Sequence, residues 1–221
     1  MERYPRKIAV ITGDLVNSTG LDRATITRAM AALSDLFQKE DHWIGRNFTR
    51  QSGDGWQAVH HHPEHAIRSA LAMRAALRSL DAGLEAYFSI SVGELESAPP
   101  QNLNEISDEV FVRSGRQLQI LKDRSKKDGV LICHWDWGAA GSVAVLADHI
   151  SQKWTPAQAA AILIYLNPYS DEISYTDAAE ALGITRQAAT KSLKSAGKDA
   201  LLKALFILEN ALRDQTREEN R

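Results

Sequence analysis

Two aspartates stand out because each sits beside glycine where an extended segment ends. Asp14 closes the β-branched run Ile8-Ala9-Val10-Ile11-Thr12-Gly13, and Asp54 lies in Ser52-Gly53-Asp54-Gly55 between two strand-like runs. Adjacent antiparallel strands lie about 5 Å apart, so pairing of these runs lets both carboxylates converge on one cation. A carboxylate pair holding Mg²⁺ or Mn²⁺ against phosphates is the arrangement that phosphoryl and nucleotidyl transfer require. Asn17, Ser18 and Thr19 follow Asp14 in a small polar loop whose backbone N–H groups suit a phosphate. Arg113 and Arg116, three residues apart on an expected helix, share a face from which either meets a phosphate bidentately. Each signal also has a plainer reading. Asp-Gly is what a hairpin turn asks for in any case, and basic residues following Asp108 and Glu109 commonly form a solvated face.

The second stretch with chemistry in its spacing is Thr176 to Leu193, which reads as a helix-turn-helix of the DNA-binding kind. Ala179 allows close helix approach, Gly183 ends the first helix, Ile184 is expected to plug the core, and Thr185 caps the second helix. That second helix exposes Arg186, Gln187, Thr190, Lys191 and Lys194, residue types suited to base edges and phosphates. Five basic residues against one acidic residue give residues 185–203 a net charge of +4, in a chain whose overall charge is -2. A plain helical hairpin serving as a lid or dimerisation element is the alternative.

Other candidates read as ordinary structure. His60, His61, His62 and His65 invite a metal, but consecutive strand side chains alternate, so a surface strand-to-helix loop is expected. Trp135 and Trp137 flank Asp136 and could stack on a base, although this spacing more often packs one face of an extended segment. Glu94 reads as an exposed acid.

The elements that must position these residues follow from periodicity. The 221 residues, 44% hydrophobic and 24% charged with 13 Gly and 6 Pro, argue against disorder and low complexity and suggest one medium and one small domain. After the first strand, Ile26, Met30, Leu33 and Phe37 mark a helix capped by Asp22. A hairpin joins Asn47–Gln51 to Trp56–His60, with glycines at 53 and 55 supplying positive φ. A helix after Pro63, an alternating strand over Tyr87–Val92, a helix from Asp108 to about Lys122 and a strand over Gly129–Cys133 complete the first part. The order β-α-β-β-α-β predicts an α+β, ferredoxin-like (palm-like) layer over residues 1–150. Residues 151–221 read as a small all-α domain: helices over 157–166, 174–182, 185–196 and 199–213, the last amphipathic through Leu201, Leu205, Leu208 and Leu212. These leucines suit core packing or a dimer seam, and a homodimer suits half-site recognition. No apolar run reaches about 18 residues, no membrane contact is expected, and the amino terminus leads into a strand instead of a signal peptide, so a cytoplasmic location is expected. One cysteine, Cys133, leaves no intrachain disulfide and no multi-cysteine zinc module.

The segment Ala9 to Thr19 resembles the first-strand motif of class III nucleotidyl cyclases, a strand ending in Asp before a small polar loop. Ser52-Gly53-Asp54-Gly55-Trp56 is similar to that family's second metal-binding hairpin, and Ile90-Ser91-Val92-Gly93-Glu94 to its following strand. The resemblance spans residues 8 to about 121 in order. It implies that Asp14 and Asp54 hold Mg²⁺ or Mn²⁺ and that Arg116 is the catalytic, phosphate-stabilising arginine, acting across a dimer interface; with the polar loop and the helix face, Asn17, Ser18, Thr19, Arg50 and Arg113 are the expected nucleotide-binding residues. Val112 stands where the family has an asparagine, and Arg50 replaces its adenine-recognising lysine, so adenine specificity does not carry over. Together with the carboxy-terminal helix-turn-helix, the motifs look closer to the bacterial SatD-like group, which joins a palm-like domain to a DNA-binding tail. The reading is a DNA-binding transcriptional regulator that senses a nucleotide with a divalent metal. The alternative is an active nucleotidyl cyclase or related nucleotidyltransferase.

Overall fold

The first strand lies inside the sheet because its apolar side chains have helices to meet on both faces. In the computed structural model, which describes residues 5–38, 47–51, 53–135, 138–168 and 173–219, β1 (Arg6–Leu15) is flanked by β3 (Gly55–His60) and β4 (Ala86–Leu95), antiparallel to both. The hairpin partner β2 (Asn47–Arg50) extends one edge, and β5 (Ile132–His134) adds to the other in parallel with β4. The order is therefore β2-β3-β1-β4-β5. Helices α1 (Arg23–Gln38), α2 (Ala66–Leu80), α3 (Glu109–Asp128), α4 (Ala139–Ser151), α5 (Pro156–Tyr165), α6 (Tyr175–Ala181), α7 (Arg186–Ser195) and α8 (Lys198–Glu219) make the architecture mixed α+β. Asp22 caps α1 as expected, its Oδ1 accepting from the Thr25 N–H at 2.7 Å.

The strand's period of two sorts β1 onto two different faces. Ala9, Ile11 and Leu15, with Trp56, Ala58, Phe88 and Ile90, pack on α1 and α2 in a cluster that continues into α4, α5 and α8 through Ala144, Ile162 and Leu205. The segments on either side of residue 150 thus share one apolar cluster. Gly13 belongs to this face. A Cβ there would sit 2.2 Å from the Trp56 ring, so glycine is what allows the indole to lie flat across β1. Buried charges bolt the layer together. The Arg74 guanidinium, 1% exposed, donates to Asp148 at 2.6 Å and to the Ser151 hydroxyl at 2.7 Å. Arg78 donates from Nε to the Trp154 carbonyl at 2.7 Å and also pairs with Glu85. Arg68 grips Glu209 of α8 bidentately at 2.7 and 2.8 Å. Removing one partner of such a pair strands a buried charge, at a cost of roughly 3–5 kcal/mol.

Among the described residues the other face carries one helix, α3. Ile8, Val10, Val59 and Leu95 meet Val110 and Phe111 there in a smaller cluster. Toward the end of β1 this face turns polar. Thr12 Oγ1 lies 2.7 Å from Ser114 Oγ, Gln57 Nε2 donates to Thr12 Oγ1 at 3.3 Å, and Ser91 pairs with Gln117.

Three expectations change. Helix α4 has no counterpart in the sequence reading, although Ala140, Ala144 and Ala147 form its buried stripe. Helix α3 runs on to Asp128, ending at Gly129 with φ 71°. The last strand is Ile132–His134, entered where the Asp148 carboxylate accepts from the N–H groups of Leu131 and Ile132 at 3.0 and 3.1 Å. No described helix is long and apolar enough to cross a membrane.

Candidate functional site

The carboxylates meet. Asp14 is paired across the ladder with Gly55, next to Asp54 in the β2–β3 turn, and like Thr12 it points to the α3 side of the sheet. Burial raises the Asp14 carboxyl above the usual aspartate range. Lys122 opposes the rise through a hydrogen bond and its charge, and the neighbouring Asp54 carboxylate adds to it. Its two oxygens face different neighbours. Oδ2 contacts the Lys122 ammonium, while Oδ1 lies 3.4 Å from where a Cβ on residue 55 would stand. Asp54 Oδ2 is buried without a hydrogen-bond partner. An orphaned carboxylate oxygen beside a second carboxylate fits a hard divalent cation, which takes oxygen ligands. Asp14 and Asp54 are the residues that would hold Mg²⁺ or Mn²⁺ here. Among the described residues no group of three or more His, Cys, Asp or Glu is placed to hold a metal, so the rest of a coordination shell would come from ligand or water.

The turn achieves this with one left-handed glycine, Gly53 at φ 79°. Gly55 has no positive φ, and a Cβ there would make only an ordinary contact with Asp14 Oδ1. Ser52 lies outside the described residues. Arg50 donates from Nε and a terminal nitrogen to the Gly53 carbonyl at 2.9 and 2.6 Å, so its guanidinium closes the hairpin turn. Arg113 donates to the Val92 carbonyl at 2.6 Å and lies 3.5 Å from Glu109, which ties it to β4. Arg116 is exposed. It lies about 200° around the helix from the sheet-facing Ser114, so it points away from the carboxylates of its own chain. After Asp14 the chain turns through Asn17, at φ 53°, with the N–H groups of Gly20 and Leu21 bonded back to Asn17 and Ser18 at 3.0 Å each. Ser18 and Thr19 form a single 3₁₀ turn with Gly20.

Lys122 is the residue the sequence reading missed, together with Tyr87, whose ring centroid lies 6.0 Å from the Lys122 ammonium. The signal was present in the spacing. Ser114, Leu118 and Lys122 recur every four residues and so share the sheet-facing side of α3.

His61 and His62 lie in the strand-to-helix connection as expected, His62 exposed, but His60 and His65 are buried beside it. His60 and His65 are 1% and 5% exposed, and the rings of His60, His62 and His65 lie 6.2–6.4 Å apart. Burial, then the neighbouring His65 and His62, holds His60 well below the usual imidazole value. His65 Nδ1 lies 3.2 Å from Glu209, where α8 crosses the start of α2. Glu94 is exposed as expected, Trp135 donates from Nε1 to Ser89 Oγ at 2.9 Å, and Trp137 lies outside the described residues.

In the carboxy-terminal part, Ser174 and Asp177 form a capping box at the start of α6, and the Thr185 hydroxyl accepts from the Ala188 N–H to cap α7. Gly183 at φ 63° turns the chain between them, and the Ile184 N–H bonds to the Ala179 carbonyl at 3.0 Å. Ile184 itself is 40% exposed, so it does not plug the core. The buried residues of the two helices are Ala178, Ala179, Ala189 and Leu193. Arg186, Gln187, Thr190, Lys191 and Lys194 line one shallow concavity on the outer side of α7. Thr190 Oγ1 donates to the Arg186 carbonyl at 2.8 Å. Lys198, counted above in the local positive charge, turns inward, 4.6 and 4.9 Å from the ring centroids of Tyr165 and Tyr175.

No family model, curated protein or solved structure matches this chain.

Proposed function

We propose that this chain is a DNA-binding transcriptional regulator whose ferredoxin-like, cyclase-like layer over residues 1–150 binds a nucleotide together with Mg²⁺ or Mn²⁺. In this reading α6 and α7 are the two helices of a helix-turn-helix within residues 151–221, and α7 enters the major groove. The observation that carries it is the character of α7. Its ten residues contain Arg186, Lys191 and Lys194 and no acid, and its polar side is exposed while Ala189 and Leu193 anchor the other side. Such a helix places charge on phosphates and amide or hydroxyl groups on base edges. A homodimer would bring two such helices to successive half-sites about 34 Å apart. Nucleotide occupancy would then act by favouring one dimer geometry over another. At the nucleotide, a divalent ion supplies charge neutralisation for the phosphates. Asp14 and Asp54 would hold it, with Asn17, Ser18 and Thr19 beside them.

The test is the salt dependence of duplex DNA binding. Wild type should lose affinity with rising salt. Arg186→Ala combined with Lys191→Ala should weaken binding at low salt and reduce the log–log salt slope by about 1.8, or 0.9 per phosphate contact. Unchanged binding in the double variant would end the DNA reading.

A second reading, a nucleotidyl cyclase or related nucleotidyltransferase, is favoured by the meeting of Asp14 and Asp54. Arg116, turned outward on α3, would then serve a partner chain's site. Incubation with each nucleoside triphosphate and Mn²⁺ decides it. Product that disappears with Asp14→Ala establishes the activity, and no product from any of them excludes it.

A further inference from the structure

We propose that Lys122 is a resident cation of the carboxylate pair, competing with a divalent ion for Asp14 and turning onto the phosphate chain when a metal-bound nucleotide arrives. The inference rests on the metal site proposed above and concerns how that site is regulated.

Three observations carry it. The Lys122 ammonium contacts Asp14 Oδ2, one of the oxygens a divalent ion would need. Only half of the pair's charge is answered, because one ammonium offsets one carboxylate and Asp54 Oδ2 remains buried without a partner. The lysine comes from α3, on neither of the strands that carry the aspartates, and its side chain is 27% exposed. It can therefore leave without disturbing the ladder that positions Asp14 and Asp54.

The physical logic is a competition between unequal cations. An ammonium is a compact, strongly hydrated point charge on a flexible stem, and it meets one carboxylate well. A divalent ion meets both and relieves the repulsion between them, but it must first displace the lysine. Once displaced, the ammonium lies beside whatever phosphate the ion holds, and Lys–phosphate contact is favourable. Metal alone therefore binds against Lys122, whereas metal with a triphosphate binds in concert with it. This coupling is reciprocal by linkage.

The experiment titrates Mn²⁺ alone into the full chain, following free Mn²⁺ by electron paramagnetic resonance, in wild type, Lys122→Met, Lys122→Gln and Lys122→Arg. Circular dichroism and melting temperature report that each variant is folded, and the glutamine variant covers the case in which methionine misfolds. Removal of the ammonium should tighten Mn²⁺ binding about tenfold or more, while the arginine variant stays near wild type. Adding a non-hydrolysable nucleoside triphosphate should then tighten Mn²⁺ binding more in wild type than in Lys122→Met. Equal Mn²⁺ affinity in wild type and both neutral variants overturns the competition, as does a gain that persists when Asp14→Asn is added. If the neutral variants gain Mn²⁺ affinity yet no nucleoside triphosphate alters it in any protein, the competition stands. In that case the nucleotide reading and the lysine's transfer to phosphate fail.

Discussion

The two faces of one sheet solve different problems. The face under α1 and α2 is dry, with Ile11, Phe88, Leu71 and Leu33 at or near zero exposure, and its charges are locked into pairs such as Arg74–Asp148. The face under α3 begins apolar at Ile8 and Val10 and ends in hydroxyls, amides and the carboxylate pair. Alternation along β1 feeds both, so the same ten residues build a core on one side and a polar site on the other. The lesson is one of tolerance. The two-helix cover is fully closed, and even there Trp56 Nε1 and His60 Nε2 are buried without hydrogen-bond partners, whereas a single helix leaves a partly open border where a lysine meets Asp14 beside the orphaned oxygen of Asp54. Functional sites commonly carry such local cost, and stability is commonly regained when their charges are removed.

The largest effect expected from this contrast is on the dry face. Leu71→Ala should destabilise the chain by about 2–5 kcal/mol in denaturant unfolding, because a fully buried leucine leaves a cavity. It should leave Mn²⁺ stoichiometry unchanged; loss of the ion in this variant would mean the faces are not independent.

At the far end of the same face, His60 makes stability depend on acid. Its folded value lies well below the unfolded one, through burial first and its histidine neighbours second. The folded state therefore binds fewer protons, and the stability His60 contributes is present above about pH 6.5 and lost as the pH falls below it. Thermal melts between pH 7.5 and 5 should show a loss of up to about 1.4 kcal/mol per pH unit from this group, and His60→Asn should flatten the slope. An unchanged slope in the variant would show that other groups carry the acid response.

On the polar face, Ser114→Ala removes the hydroxyl bridging Thr12 Oγ1 and the backbone carbonyls of Val10 and Ser89, and should cost about 1 kcal/mol. A loss as large as that of Leu71→Ala would erase the distinction between the faces. The smallest effect should have the opposite sign. Asp14 is raised in the folded state, by burial first and by repulsion from Asp54 to a lesser degree, so folding favours its protonated form and its ionisation lowers stability as pH rises above about 3.8. Asp54→Asn should therefore raise the melting temperature slightly at pH 7, and the gain should vanish near pH 3. A lower melting temperature at pH 7 would mean that Asp54 stabilises the fold in its charged form.

Much of this was legible in the sequence because it depends on local rules. A strand ending in Asp and a Gly-Asp-Gly hairpin put Asp14 and Asp54 at neighbouring strand ends, and pairing brought them together. The caps at Asp22 and Thr185 were readable for the same reason. What escaped depends on how elements cross. Lys122 reaches Asp14 only because α3 lies over the second face and runs to Asp128. Arg50 and Arg113 have types that suit phosphate, but sequence does not reveal that backbone carbonyls of Gly53 and Val92 take their donors. Ile184 looked like a core plug from its place after glycine, yet it is 40% exposed. Helix α4 went unread because its buried stripe is alanine, which contributes little to an apolar pattern.

The nucleotide site requires a divalent ion held between Asp14 and Asp54 on the polar face. Isothermal titration of Mn²⁺ into the full chain in the presence of a non-hydrolysable nucleoside triphosphate measures this directly, with Asp14→Asn and Asp54→Asn as comparisons. The expected result is one ion per chain in wild type and its loss in both variants, each still folded. Wild-type binding that survives both substitutions, or no binding at all, would contradict the account.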